Sequence, residues 1–302
     1  MRVFLTGAAG FVGSHVARLL LDAGDEVSVL VRPPPGRTGR LRDIASRLHV
    51  HHGDLSNPDD VRNVLRARVP EVCVHLAWYA EPGRYLDSTE NLRCLADSLA
   101  LIEALGKVGC EHVVAAGTCA EYDTRRGEIL REDGPVRPET LYAAAKLALR
   151  YAGEALAARL GIGFTWARLF YLYGPGEDER RLVPSLAGAL RRGEPFPAGG
   201  GEQVRDYLHV ADAAAGLVRL ARQRAAGVFN VCSGEPVTVR RLMETVGRVV
   251  GGGDRVRFGA LPARGWDPPH ICGDGSRLRA LGWAPRYTLE AGLRQTFSGT
   301  GA

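Results

Sequence analysis

The chain has 302 residues, 45% of them hydrophobic and 24% charged, with 38 glycines, which suits a folded α/β protein and excludes a disordered chain. Its formal net charge is +5, but the basic residues are dispersed among 34 acidic ones, so no nucleic-acid-binding face is expected and an acidic small molecule is the better partner. Six cysteines without CxxC spacing point to a reduced, cytoplasmic protein, and no apolar run approaches the ~18 residues of a membrane span.

In chain order the sequence alternates short β-branched runs with helix-length segments: VFLT, a helix from Phe11, EVSVLV, LHVHH, VCVHLA, HVVAA and FTWARLF. Strands alternating with helices predict a doubly wound parallel Rossmann sheet covered on both faces, with ligands at the carboxyl ends of its strands. His49, His51 and His52 lie in the alternating run LHVHH, whose neighbouring side chains point to opposite faces, so no metal site is expected. Beyond Gly174 the chain loosens into Gly/Pro-rich pieces. This predicts a dinucleotide-binding domain over residues 1–173 and a smaller substrate-binding lobe over 174–302. VFNVCS, at 228–233, reads as a further core strand, so the two are interleaved, with about 205–250 partly returning to the sheet.

TGAAGFVG carries Gly7, Gly10 and Gly13 between the first strand and the first helix. Such a turn lets a pyrophosphate approach the helix N-terminus, where free N–H groups and the helix dipole favour anions. The second strand ends in Val31 and Arg32, where NAD binding would place a carboxylate against the adenosine ribose. With Arg37 and Arg40 following, the 2′-phosphate of NADP is the expected match, NAD remaining possible. Asp54, after LHVHHG, is expected against the adenine amino group, or as a cap for the next helix.

Only two of the 39 basic residues are lysines, and one stands four residues after a tyrosine in LYAAAK. Four apart on a helix, Tyr142 and Lys146 share one face. A nearby ammonium favours the phenolate and moves a poor base toward its working range. Thr118, at the end of the strand HVVAAG, could bond the substrate oxygen that Tyr142 protonates or deprotonates.

TGAAGFVG, GD at 53–54, HLA at 75–77, Asn91, GTCAEY, LYAAAK, RLFYLYGPG, RDYLHV and RGWDPP occur in an order and spacing that resembles the extended short-chain dehydrogenase/reductases, in their nucleotide-sugar epimerase/dehydratase branch. The resemblance runs from Arg2 to the LGWAPRYTLEAGL ending. It implies Tyr142 as general acid/base, Lys146 as its electrostatic partner and ribose anchor, and Thr118 as the substrate-oxygen hydrogen bonder. It further implies Gly7, Gly10, Phe11, Val12, Gly13, Arg32, Asp54, Leu55, Leu76, Ala77 and Asn91 around the cofactor. On the substrate side it implies Arg205 and Arg264 on a nucleotide diphosphate and Asp267 near the nucleoside ribose. Cys119 and Tyr171 are further expected substrate contacts, as is Trp78, which opens WYAEPGRY at 78–85, a segment with no obvious family counterpart that is expected to shape sugar specificity, with plain core as the alternative for Trp78. A homodimer through the segments 91–107 and 142–160 is implied as well.

Departures from the family pattern narrow the reaction. Dehydratases carry an Asp-Glu pair after the threonine, since removing water needs its own acid and base, but here Cys119 and Ala120 follow and Glu121 is out of register. Tyr171 stands where an asparagine is usual. What remains is hydride transfer at a sugar carbon. Arg32 orders the two readings: an NADPH-dependent 4-ketoreductase of a nucleotide-linked 4-keto-6-deoxyhexose first, a 4-epimerase with retained NAD second. A non-catalytic NADP sensor and a reductase of non-nucleotide carbonyls stand further off.

Overall fold

The computed structural model of the protein describes residues 1–32, 39–262 and 267–298. The first half runs β1 (Arg2–Thr6), α1 (Phe11–Asp22), β2 (Glu26–Val31), β3 (His49–His52), α2 (Pro58–Ala67), β4 (Val72–His75), α3 (Glu90–Lys107), β5 (His112–Thr118), α4 (Leu141–Leu160) and β6 (Gly163–Leu169). It continues through β7 (Tyr171–Tyr173), α5 (Leu182–Arg191), β8 (Phe196–Pro197), β9 (Val204–His209), α6 (Val210–Gln223), β10 (Gly227–Val231), β11 (Pro236–Thr238), α7 (Val239–Val250), β12 (Val256–Arg257), α8 (Ser276–Ala280) and α9 (Leu289–Ser298).

Seven strands form one sheet in the order β10-β6-β5-β4-β1-β2-β3, and every neighbouring pair is parallel. A parallel sheet buried on both faces needs near-continuous apolar strands, and β5 is buried along all seven of its residues. α1 and α6 cover one face through Val16, Leu20, Ala213 and Leu217. α2, α3 and α4 cover the other through Val64, Ile102 and Leu149. Each such fully buried aliphatic side chain contributes about 1.5–3 kcal/mol relative to exposure.

Local chemistry sets the helix ends that matter for the site. Thr140 caps α4 by accepting from Ala143 N at 3.2 Å, and Gly161 ends it in the left-handed region at φ 71°. Between these caps alanines and Gly153 bring α4 close to its neighbours, a Cβ on Gly153 falling 3.1 Å from Ile102 Cδ1.

β7, β9 and β11 form a second sheet, which packs with α5, α7 and α9 around Leu186, Leu242 and Val246. The chain leaves this lobe at α6, which packs on α1, and places β10 beside β6 before returning through β11 and α7. No helix among the described residues is long and apolar enough to cross a membrane.

Candidate active site

β1 and β4 are neighbours, yet the chain winds from β1 outward through β2 and β3 and from β4 outward through β5 and β6. Their carboxyl ends therefore open a crevice at the point where the winding reverses. Gly7 leaves β1 at φ 71°, and a Cβ there would lie 2.8 Å from Ala77 N and from Leu76 C. At Gly13 a Cβ would lie 2.1 Å from Gly7 O, so both positions require glycine. Gly10 donates to Gly7 O at 2.9 Å and starts α1 without any side-chain cap, leaving the first-turn N–H groups of Phe11, Val12 and Gly13 for an anion.

Thr6 pins this turn to β4. Its hydroxyl accepts from Leu76 N and Ala77 N, both at 3.2 Å, so its own proton goes to His75 Nδ1 at 2.7 Å. His75 Nε2–H then donates to Ser98 Oγ at 2.8 Å, and Ser98 donates to Cys94 O at 2.5 Å. Burial, then the charge of Lys146, lowers His75 to about 3, which keeps the imidazole neutral in this chain of bonds. A pinned, side-chain-free turn over a helix N-terminus fits the pyrophosphate of a nicotinamide dinucleotide.

Of the arginines expected at the adenosine end, Arg32 and Arg40 are described, and each has a protein partner. Arg32 lies with Nε 3.8 Å from Asp54 Oδ2, so cation and carboxylate face each other, and Asp54 Oδ1 accepts from Ser56 N and Oγ at 2.9 Å. The Arg40 guanidinium donates to Gly176 O at 3.0 Å and, in the glycine turn, to Ala9 O at 3.4 Å, while His15 Nε2 meets Pro175 O at 2.9 Å. These bonds tie the segment after β7 to the glycine turn. Arg37 lies outside the described residues. Leu55 packs at the edge of the core under α2 and α3.

Thr118 ends β5, and α4 brings Tyr142 and Lys146 to the same crevice. Burial, then the neighbouring Tyr85, pushes the Tyr142 phenol up, opposed by a hydrogen bond with the Thr118 hydroxyl. Lys146 is not among the groups that act most strongly on the phenol. The ammonium donates instead to Ala116 O at 2.8 Å and sits 3.8 Å from the centre of the Trp78 ring. Lys146 is itself only 4% exposed, and burial, opposed by Glu121 and Cys94, lowers it to about 7. Among the described residues no carboxylate is bonded to it. Asn91, expected at the cofactor, has both functions of its amide engaged: Oδ1 accepts from Trp78 Nε1 at 2.8 Å, and Nδ2 donates to Tyr85 O and Ser88 O at 2.6 and 2.8 Å.

Across the crevice, Arg205 on β9 is 3% exposed, donates to Val204 O at 2.7 Å and pairs with Asp267. Two residues expected on different parts of a nucleotide therefore hold each other. Tyr171 lies beside them, its ring 5.9 Å from Tyr207 and 5.5 Å from the Arg205 guanidinium. Cys119 is buried, and burial with nearby Asp206 and Glu121 pushes its thiol up to about 12, so it supplies no acid or base near neutrality. Arg264 lies outside the described residues.

The sequence matches the NAD dependent epimerase/dehydratase family over residues 3–232. The chain belongs to that family. Over 305 residues it is 30% identical to the UDP-glucose 4-epimerase of Streptomyces lividans, covering 94% of this chain and 91% of that protein. The UDP-glucose 4-epimerase of Thermus thermophilus, solved in complex with NAD, is 28% identical with a TM-score of 0.86, over 99% of this chain and 98% of the other. The UDP-glucose 4-epimerase of Thermotoga maritima, solved with UDP-glucose, is 25% identical with a TM-score of 0.86, over 99% of both chains.

In this epimerase/dehydratase-family chain, the partners of several buried carboxyl groups went unread in the sequence. Glu121 is fully buried, accepting from Thr118 N at 2.8 Å, Trp166 Nε1 at 3.0 Å and Arg168 Nε at 2.8 Å, and so holds the strand end that presents Thr118. Asp206 is a second buried anchor, accepting from Ser233 N, Gly234 N and Gly273 N at 2.7, 2.9 and 3.2 Å. Glu177 has a buried Oε2 without a partner, and burial pushes its carboxyl up to about 8. The segment WYAEPGRY meets the second lobe where Tyr79 and Arg180 both donate to Glu81, at 3.1 and 3.4 Å. A carboxylate inside an apolar run, as in GTCAEY, was the available signal for Glu121. The partners themselves are too distant in sequence to be read.

Proposed function

We propose that the protein is a nucleotide-sugar 4-epimerase working with a retained NAD, on a UDP-linked hexose in the first instance. The observation that carries this reading is the meeting of Thr118, Tyr142 and Lys146 at the crevice beside the glycine turn, in a chain matched end to end by proteins named UDP-glucose 4-epimerases. It takes precedence over the 4-ketoreductase that Arg32 favoured. That preference rested on an NADP-binding arginine cluster. Arg40 is committed to the glycine turn and the second lobe, and Arg32 faces a carboxylate, which supports NAD.

The turn of Gly7, Gly10 and Gly13 would receive the pyrophosphate on the first-turn N–H groups of Phe11, Val12 and Gly13, with Leu76 and Ala77 lining the opposite wall. NAD held there would supply reversible hydride acceptance at C4 of the sugar. Tyr142 takes the proton of the C4 hydroxyl as the carbonyl forms and gives it back as the hydroxyl re-forms, so no net redox change results. Thr118 holds the same oxygen by a hydrogen bond. For Tyr142 to act as a base its phenol must come down from its buried value, which requires the Lys146 ammonium to stay charged. Arg205 suits the dianionic diphosphate through charge-assisted bonds once Asp267 turns toward the ribose. Exposed Leu92 on α3 and Tyr151 on α4 support a homodimer through these helices.

The test is incubation with UDP-glucose and a trace of NAD, followed by proton NMR of the sugar. Appearance of UDP-galactose without lasting change in nicotinamide absorbance is the expected result. Stoichiometric NADPH consumption with a nucleotide-linked 4-keto sugar, and no interconversion of UDP-glucose, would establish the reductase instead.

A further inference from the structure

Trp78 has no part in the chemistry above, yet it makes the closest side-chain contact described for Lys146. Lys146 is almost wholly buried, and among the described residues its three N–H donors find one hydrogen-bond acceptor, Ala116 O. A desolvated ammonium in that state loses its proton readily. The charged and titratable groups facing it are Glu121 from the turn after β5, Cys94 from α3, His75 from β4 and Tyr142 from its own helix. None of the four answers the charge at contact. The Glu121 carboxylate is committed to Arg168, Trp166 and Thr118, burial pushes the Cys94 thiol and the Tyr142 phenol up, and His75 is neutral.

The remaining surface is the indole face. Its centre lies 3.8 Å from Lys146 Nζ, well inside the reach of a cation–π contact, and its orientation is set by the bond from Nε1 to Asn91. Asn91 is fully buried and locked in turn by Tyr85 O and Ser88 O. The same segment fixes Tyr142: Leu86 O accepts from Tyr142 N at 2.8 Å, and the Tyr85 ring meets the Tyr142 ring edge-on at 4.9 Å. One loop thus addresses both members of the pair.

We propose that Trp78 is a positioning residue whose ring face, keyed by Asn91, holds the Lys146 side chain as an ammonium beside Tyr142. Its functional consequence rests on the catalytic reading of Lys146; the contact itself does not. A leucine at 78 would remove the π face, and a phenylalanine would keep a weaker one.

This chain is suited to a direct test because it has only two lysines, Lys107 and Lys146. In protein labelled with 15N and 13C at lysine, NMR follows each side chain through a pH titration, with Lys107 as the internal reference. Trp78→Leu is expected to lower the Lys146 midpoint by about one unit and Trp78→Phe by about a third of that, with Lys107 unmoved. In the parent protein the Lys146 Cε protons should carry an upfield ring-current shift, a reading that survives even if Trp78→Leu fails to fold. Ordinary Cε shifts in the parent, or a parental midpoint in a folded Trp78→Leu, would overturn the proposal. Activity is read separately: in Trp78→Leu the alkaline limb of kcat should move down by the same unit while KM changes less than about threefold. Full activity in Lys146→Met would remove the catalytic reading and leave the titration result standing.

Discussion

The two walls of the crevice are built in opposite ways. On the wall proposed for the cofactor the surface is backbone: Gly7, Gly10 and Gly13 within seven residues, pinned to β4 by one threonine. On the wall proposed for the substrate it is side chains from separate segments, Arg205, Asp267 and Tyr171, with Arg205 bonded to Asp267 and its guanidinium facing the Tyr171 ring. A backbone cradle has no alternative arrangement and is ready before its ligand arrives. A wall of paired side chains must exchange partners when a ligand enters, which leaves room for specificity to change without loss of the fold.

Gly13→Val breaks the cradle most directly. Its branched side chain would start 2.1 Å from Gly7 O, and dinucleotide affinity in a calorimetric titration is expected to fall by at least about a thousandfold or the protein to lose its cooperative melt. Tyr142→Phe should lower kcat by roughly 10³-fold with dinucleotide affinity within a few-fold of parent, which separates chemistry from cradle. Lys146→Arg keeps the charge but not the compact fit against Trp78 and Ala116, so a loss of about 10²-fold is expected; near-parental turnover would dismiss the argument from size. On the other wall, Arg205→Ala should raise KM for the nucleotide sugar by about 10- to 100-fold and leave dinucleotide binding untouched. A fall in kcat alone would place Arg205 elsewhere.

Acid sharpens the same contrast. His75 is held at about 3 in the fold against an ordinary value of 6.5. Between those values the unfolded chain binds the proton and the folded chain does not. The stability from His75 is therefore complete above about pH 6.5 and is lost as pH falls, by about 1.4 kcal/mol per unit. Urea unfolding from pH 7 to 4.5 should show that slope, and His75→Gln should flatten it. The smallest effect is expected at Arg32. Arg32→Asp should tighten NAD over NADP by only a few-fold, since the parent arginine already faces Asp54. Reversal of a strong NADP preference would restore the reductase reading.

The sequence by itself determined the parts whose cause is local. The strand-helix alternation, the glycine turn and the four-residue spacing of Tyr142 and Lys146 are periodic or contiguous, so their geometry follows from neighbouring residues. Arg32, Arg40, Lys146 and Asn91 were identified as charged or polar groups near the crevice, but not by what they hold. Only the tertiary structure decided that Arg40 ties Gly176 to the glycine turn, that Arg32 faces Asp54, that Asn91 keys Trp78, and that Lys146 lies against an indole ring. Each of these partners comes from a different element, and a long side chain takes the partner that packing brings within a few ångströms. Spacing along the chain carries no record of that choice.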